Sequence, residues 1–138
     1  MEEMMRGRKA TVTALDGALS KVPVAPKDMP VRAAREWRKV LGVLVEQRKI
    51  ADHELPLVDA YCRVVAHIGV CEAAISEHGI TMVSPSGETK RRPETTLLKE
   101  YHATLARLAD ALGLAPASRS KNKGGAIGND DADDLGDI

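Results

Sequence analysis

The chain has 138 residues, 20 basic and 20 acidic, so it carries no net charge, and 43% of it is hydrophobic. That length holds one domain, and no window is long and apolar enough to span a membrane. With no Phe, one Trp and two Tyr, the interior must be built from Leu, Val, Ile and Ala; such a core is small, and self-association is expected to cover what it leaves exposed.

Residues 1–30 read as a flexible arm. Arg6-Gly7-Arg8-Lys9 is a short basic cluster, Thr11 to Leu19 forms at most a brief helix, and Pro23, Pro26 and Pro30 then break any periodicity. No apolar block follows the charged first residues, which argues against a signal peptide.

The first strong helix runs from Val31 to about Gln47, started by Pro30. At 100° per residue Trp37, Val40, Leu41 and Leu44 cluster in one direction, while Arg32, Arg35, Arg38 and Lys39 cluster nearly opposite. From Val31 to Ala51 six basic residues stand against two acidic ones, and from Asp52 to Gly79 one basic residue faces five acidic ones. The basic stripe is therefore either a solvated face or a set of phosphate contacts, and the lack of compensating acids keeps the second reading open.

Asp52 is placed to cap a second helix of about 26 residues that ends at His78, where Gly79 supplies a left-handed stop. Leu57, Tyr61, Val64, Ile68, Cys71 and Ile75 recur on one seam of it, and Leu55, Val58, Cys62 and Val65 form a second seam. An apolar arc that wide calls for neighbours on more than one side, another subunit among them. Cys62 and Cys71 fall on opposite sides of the cylinder, which makes them two buried thiols and not a disulfide. His67, Cys71 and His78 share a sector, but their rise along the axis is too long for one ion, so no metal is expected.

Ile80 to Val83, the turn Ser84-Pro85-Ser86-Gly87, and Glu88 to Arg92 suggest a β-hairpin. Its return arm ends in Lys90-Arg91-Arg92, either a guarded edge or a second phosphate contact. Pro93 to Thr96 opens a third helix, Thr96 to Leu112, stopped by Gly113 and Pro116, with Leu98, Tyr101, Leu105 and Leu108 on its seam. The second and third helices fold back as an antiparallel pair. Beyond them the chain is basic at Arg119, Lys121 and Lys123, hinged at Gly124-Gly125, and acidic from Asp130 to Asp137, a pattern for a solvated tail or for one that competes with DNA for basic surface.

The fold class is thus mainly all-α: an antiparallel hairpin or bundle of three main helices with a short β-hairpin between the last two. Residues 1–30 are the arm, 31–114 the helical core and oligomerisation domain, and 115–138 a disordered tail. No phosphate-binding loop, nucleophile elbow, zinc-protease motif or paired acids beside a pocket-forming segment occurs, so the chain reads as a binder without catalytic residues or cofactor.

In this order the chain resembles the bacteriophage terminase small subunits. The resemblance is carried by Arg6-Gly7-Arg8-Lys9 with Thr13-Ala14-Leu15, by Ala34 to Val40 leading to Asp59-Ala60-Tyr61-Cys62, by Gly79 to Val83 with Pro85-Ser86-Gly87, and by Leu97 to Glu100 through Ala111 to Arg119. It departs at Asp16-Gly17-Ala18-Leu19, where such proteins often continue with Gly-Asn-Pro, and at Pro93-Glu94-Thr95-Thr96, where an Asn-Pro pair is usual. The resemblance implies a ring-forming, non-enzymatic homo-oligomer in the cytoplasm of the infected bacterial host. Its implied partners are double-stranded viral DNA, which it recognises, and the terminase large subunit, the ATPase and nuclease to which it delivers that DNA.

The DNA-binding candidates are Arg32, Arg35, Arg38, Lys39, Lys90, Arg91, Arg92, Arg119, Lys121 and Lys123. The candidates for the core or oligomerisation seam are Leu57, Tyr61, Val64, Ile68, Ile75, Leu98, Tyr101, Leu105 and Leu108. Two other readings stand beside this one: an oligomeric protein-interaction scaffold that does not bind DNA, and a helix-turn-helix regulator, which the long apolar second helix and the scarcity of Asn and Gln disfavour.

Overall fold

The computed structural model describes residues 16–115. Among these the order is α1 (Val31–Glu46), a 3-10 turn (Asp52–Glu54), α2 (Leu55–His78), β1 (Thr81–Val83), β2 (Thr89–Arg91) and α3 (Pro93–Ala111). Three helices with an antiparallel hairpin between the last two match the expected class. The chain divides into two compact units, 1–66 and 67–138, and α2 is continuous through the division.

In the first unit, Pro30 caps α1 and its carbonyl accepts from Ala34 N–H at 2.8 Å. The helix buries Ala33, Trp37, Val40, Leu41, Leu44 and Val45, the stripe expected from spacing, and also Glu36, which Arg32 reaches at 3.4 Å. Its end is a Schellman motif: Arg48 N–H bonds to Val45 O at 3.0 Å and Lys49 N–H to Leu44 O at 2.9 Å. Arg48 sits at φ 58, the one non-glycine with positive φ among the described residues. A Cβ in that conformation costs about 1 kcal/mol, so most helices place glycine there.

The second helix does not begin at Asp52. An α-helical turn from that residue would need a bond from the backbone nitrogen of Pro56 to Asp52 O, and proline has no N–H to give. A 3-10 turn takes its place, capped at Ala51, whose N–H bonds to Glu54 Oε1 at 2.9 Å.

Residues 16–30 contain no helix but are bound to this unit. Leu19 N–H bonds to Ile50 O at 2.9 Å beside the Ala18–Ala51 bridge, Met29 is buried, and Asp28 meets Arg63 at 3.2 Å. The indole N–H of Trp37 donates to Pro23 O at 2.8 Å. The most buried large side chains are Leu41, Ile50, Val58 and Cys62, so the inner side of α2 here is the seam through Val58 and Cys62. Leu57, expected on the dominant seam, is 39% exposed, and Tyr61 is half-buried.

In the second unit, α3 runs antiparallel to the end of α2. The His67 ring stacks on Tyr101 with centroids 5.2 Å apart, and farther along α2 the Cys71 thiol feels Glu94, near the start of α3. The hairpin pairs Thr81 with Arg91, Met82 with Lys90 and Val83 with Thr89. Ser84 N–H bonds to Glu88 O at 2.8 Å, and Gly87 at φ 91 closes the turn by bonding to Ser84 O at 2.9 Å. α3 begins at Pro93, three residues before Thr96, because proline is suited to the first helical position and Thr95 closes the turn behind it, its N–H and hydroxyl both bonding to Arg92 O.

The Arg92 side chain turns back onto the open end of α2. Its Nε donates to Gly79 O at 2.8 Å, and its Nη2 to His78 O and Thr81 O at 3.2 Å each. One guanidinium thus joins the helix end, the first strand and the cap of the next helix. The interior of this unit is thin: among its described residues only Cys71, Ser84 and Leu112 are buried, and α3 buries none of its own.

Two predictions follow from this packing. Replacing Arg92 with Ala removes three charge-assisted bonds at a partly solvated site and should cost about 1 kcal/mol, lowering the melting temperature by several degrees. Arg91→Ala should leave the melting curve unchanged, and equal melting of the two variants would remove the clamp. The Cys62 thiol, desolvated and near the Glu36 carboxylate, is pushed up from 9.0 to about 12. Above about pH 9 unfolding then releases a proton that the folded chain retains, so stability falls as pH rises through that window. Thermal melts should show a steeper alkaline loss for the wild type than for Cys62→Ala; parallel losses would count against a buried protonated thiol.

Candidate nucleic-acid interface

The helical period carries the exposed face of α1 directly from its buried one. With Trp37, Leu41 and Leu44 inside, Arg32, Arg35, Arg38 and Lys39 are all exposed. Arg32 is partly engaged, because Glu36 draws it inward as an ion pair. Arg35, Arg38 and Lys39 make no side-chain hydrogen bond or ion pair among the described residues. Three unpaired cations within five residues of one helix face present donors at spacings of one and three residues, the chemistry that phosphate oxygens accept. Arg48 and Lys49, just past the helix, are exposed as well.

Arg63 shows the contrast. It is the one basic residue of α2 apart from its histidines, and it donates to Asp59 at 2.6 Å and to Asp28 at 3.2 Å. Hydrogen bonds to those two carboxylates raise its pKa, and the guanidinium is taken up in holding residues 16–30 to the helix.

In the second unit, Lys90 and Arg91 lie exposed on β2 without a side-chain partner among the described residues. Arg92, named with them from the sequence, serves the fold, with its guanidinium on three backbone carbonyls. Arg119, Lys121 and Lys123, like the Arg6 to Lys9 cluster and the acidic end of the chain, lie outside the described residues. The cation that sequence reasoning missed is Lys99, three and four residues after Thr96 and Thr95 on α3; that spacing after a basic strand was the available signal.

The seam candidates divide by unit. Val64 and Tyr61 belong to the first, buried and half-buried respectively. In the second, Ile68, Ile75, Leu98, Tyr101, Leu105 and Leu108 are each half-buried, and Leu97 beside them is 40% exposed. The two thiols are buried, and desolvation raises the pKa of each; a protonated, enclosed thiol is a poor nucleophile. No cluster of three or more metal-ligating side chains occurs among the described residues, and none of their helices is long and apolar enough to cross a membrane.

A family model described as "Phage terminase, small subunit" matches residues 33–127, more than half of the chain. No curated protein and no solved structure matches it.

Proposed function

This chain belongs to the family of phage terminase small subunits, which gives it a role in phage packaging, and we propose that it serves there as an oligomeric DNA-binding adaptor without catalytic activity. In this reading the subunit engages double-stranded viral DNA in the cytoplasm of the infected host and hands it to the large terminase subunit. The observation that carries the proposal is the exposed, unpaired set Arg35, Arg38 and Lys39 on α1. Phosphate contacts of this kind bind without reading sequence and give way as salt rises.

Assembly is supported by the half-buried seam of α3, a helix that hides none of its residues completely. Covering Leu98, Tyr101, Leu105 and Leu108 with further copies, in a ring, would remove apolar surface from water at roughly 25 cal/mol per Å². Each copy adds its few cations, and linked weak contacts gain through effective concentration. The regulator reading needs a polar helix free to enter a groove; the start of α2 offers Arg63, already held by two carboxylates. A protein-only scaffold shares the apolar seam but gives the α1 stripe nothing to bind.

Replacing Arg35, Arg38 and Lys39 with Glu should abolish the gel shift of a duplex at low salt while native mass measurement reports the same oligomer as the wild type. A strictly monomeric wild type, or a variant that shifts DNA as the wild type does, would contradict the proposal.

A further inference from the structure

We propose that the second unit contains a groove that holds a phosphodiester strand, between the β-hairpin and the first two turns of α3. This rests on the DNA-binding reading above and assigns it a second, separate set of contacts. The groove has a volume of about 640 Å³ and is partly open to solvent.

Both walls follow from local geometry. The hairpin register places Thr81 opposite Arg91 and Val83 opposite Thr89, so Thr81, Thr89 and Arg91 share one face of the ladder. On α3, Thr95 and Thr96 stand four and three residues before Lys99 and share one face of the helix. Lys90, which pairs with Met82 and so alternates to the other face of the ladder, borders the groove at the strand edge, and Ile80, 63% exposed, supplies an apolar patch beside the cations.

The chemistry of the lining is one-sided. Lys90, Arg91 and Lys99 line the groove and no carboxylate does. None of those three cations has a side-chain partner among the described residues. Thr95 gives its hydroxyl proton to Arg92 O, which leaves the hydroxyls of Thr81, Thr89 and Thr96 as the neutral donors. Because Arg92 is fixed on the end of α2, the strand that carries Lys90 and Arg91 is anchored at its end.

The arrangement favours a chain of phosphates over a single anion. The positive groups are distributed along two walls and do not converge on one point, and the rise from Thr95 to Lys99 is about 6 Å at 1.5 Å per residue. A run of negative charges with sugar between them matches alternating cations, hydroxyls and an isoleucine better than a compact ion does. Fixed hydroxyls add donors that leave the salt dependence unchanged, since only cations displace counterions.

The test uses the full chain with Lys90→Gln, Arg91→Gln and Lys99→Gln combined, and separately Thr96→Val. These residues are exposed and outside the hydrogen-bond framework, so melting curves should match the wild type. With duplex DNA, the slope of log affinity against log salt should become shallower by about 0.9 for each lost phosphate contact. Thr96→Val should weaken binding several-fold at an unchanged slope. If the wild type binds DNA, the α1 variant loses it, and the triple variant keeps the wild-type slope, the groove proposal fails and the DNA-binding reading stands. If the wild type does not bind DNA at all, both fail. Inorganic phosphate or a nucleoside monophosphate binding as tightly as the duplex, and lost with Lys99→Gln, would make this a small-anion site and overturn the strand proposal. A synthetic Asn129–Ile138 peptide that binds there while DNA does not would overturn it in favour of an acidic peptide.

Discussion

Burial of one face of α1 settles where the charge of the first unit goes. Once Trp37, Leu41 and Leu44 are inside, the 100° step per residue leaves Arg35, Arg38 and Lys39 no position except the solvent side. Core and candidate interface are two sides of one short helix, so a slip in its packing would displace both. Trp37 sets this arrangement more than any other residue because it is the largest side chain the chain owns and its N–H requires an acceptor when buried. Pro23 supplies that acceptor from a segment without regular structure, whose carbonyl is not claimed by a helix or sheet. The same segment brings Asp28 to Arg63 and so neutralises the one arginine that would otherwise extend the positive surface onto α2.

The second unit is held by different means. A 19-residue helix with no fully buried side chain is marginal on helix propensity alone. Its order has to come from its ends and from partial contacts: the Arg92 clamp, the Schellman turn at Gly113, and the His67–Tyr101 stack. Glu94 Oε1 is buried there without a hydrogen-bond partner among the described residues and helps raise the pKa of Cys71, after burial itself. Regions with few buried apolar contacts open first, and an apolar seam left half-covered gains most from association. That is the physical ground for proposing that copies meet through α3, and it also explains why clamping the helix ends is useful: rigid ends present the seam in one conformation.

How much of this could be read from residues alone depends on whether a feature is periodic. The stripe of α1, the stop at Gly79 and the turn at Gly87 are written locally, in spacing and in glycine, and all three are present. The start of α2 departs from the sequence expectation because the missing N–H of Pro56 outweighs the capping preference of Asp52. Counting apolar residues gives two seams on α2 and ranks the Leu57 seam first, but burial is decided by what packs against a face, and in the first unit Val58 and Cys62 are fully buried while Leu57 is not. Residues 16–30 show no periodicity and are nonetheless fastened, because their bonds go to distant carbonyls and to one arginine. Arg48 at φ 58 gives no sequence signal, since the expected residue at that turn is glycine. Among the basic candidates, Lys90 and Arg91 were legible from composition. Composition cannot separate them from Arg92, whose orientation depends on the carbonyls that α2 leaves open, or join them to Lys99, which requires the hairpin to lie alongside α3.

Zero net charge remains compatible with binding a polyanion because the fold distributes its ion pairs unevenly. In the first unit, buried Glu36 pairs with the exposed Arg32, Asp28 and Asp59 meet Arg63, and Glu54 accepts from Ala51 N–H. Those carboxylates are occupied internally, whereas Arg35, Arg38 and Lys39 are not, and the exposed acids left over among the described residues of the unit, Asp16, Glu46 and Asp52, are fewer than its unpaired cations. What an approaching phosphate meets is the unpaired remainder, and within a Debye length of about 8 Å at physiological salt that local excess outweighs distant acids. Such a surface is strong near contact and weak beyond it, and it has no fixed match to base edges. On the proposed reading this suits a subunit that must hold DNA through many copies and still let it pass: each contact is replaceable by its neighbour, and moving from one phosphate to the next sacrifices no base-specific bond.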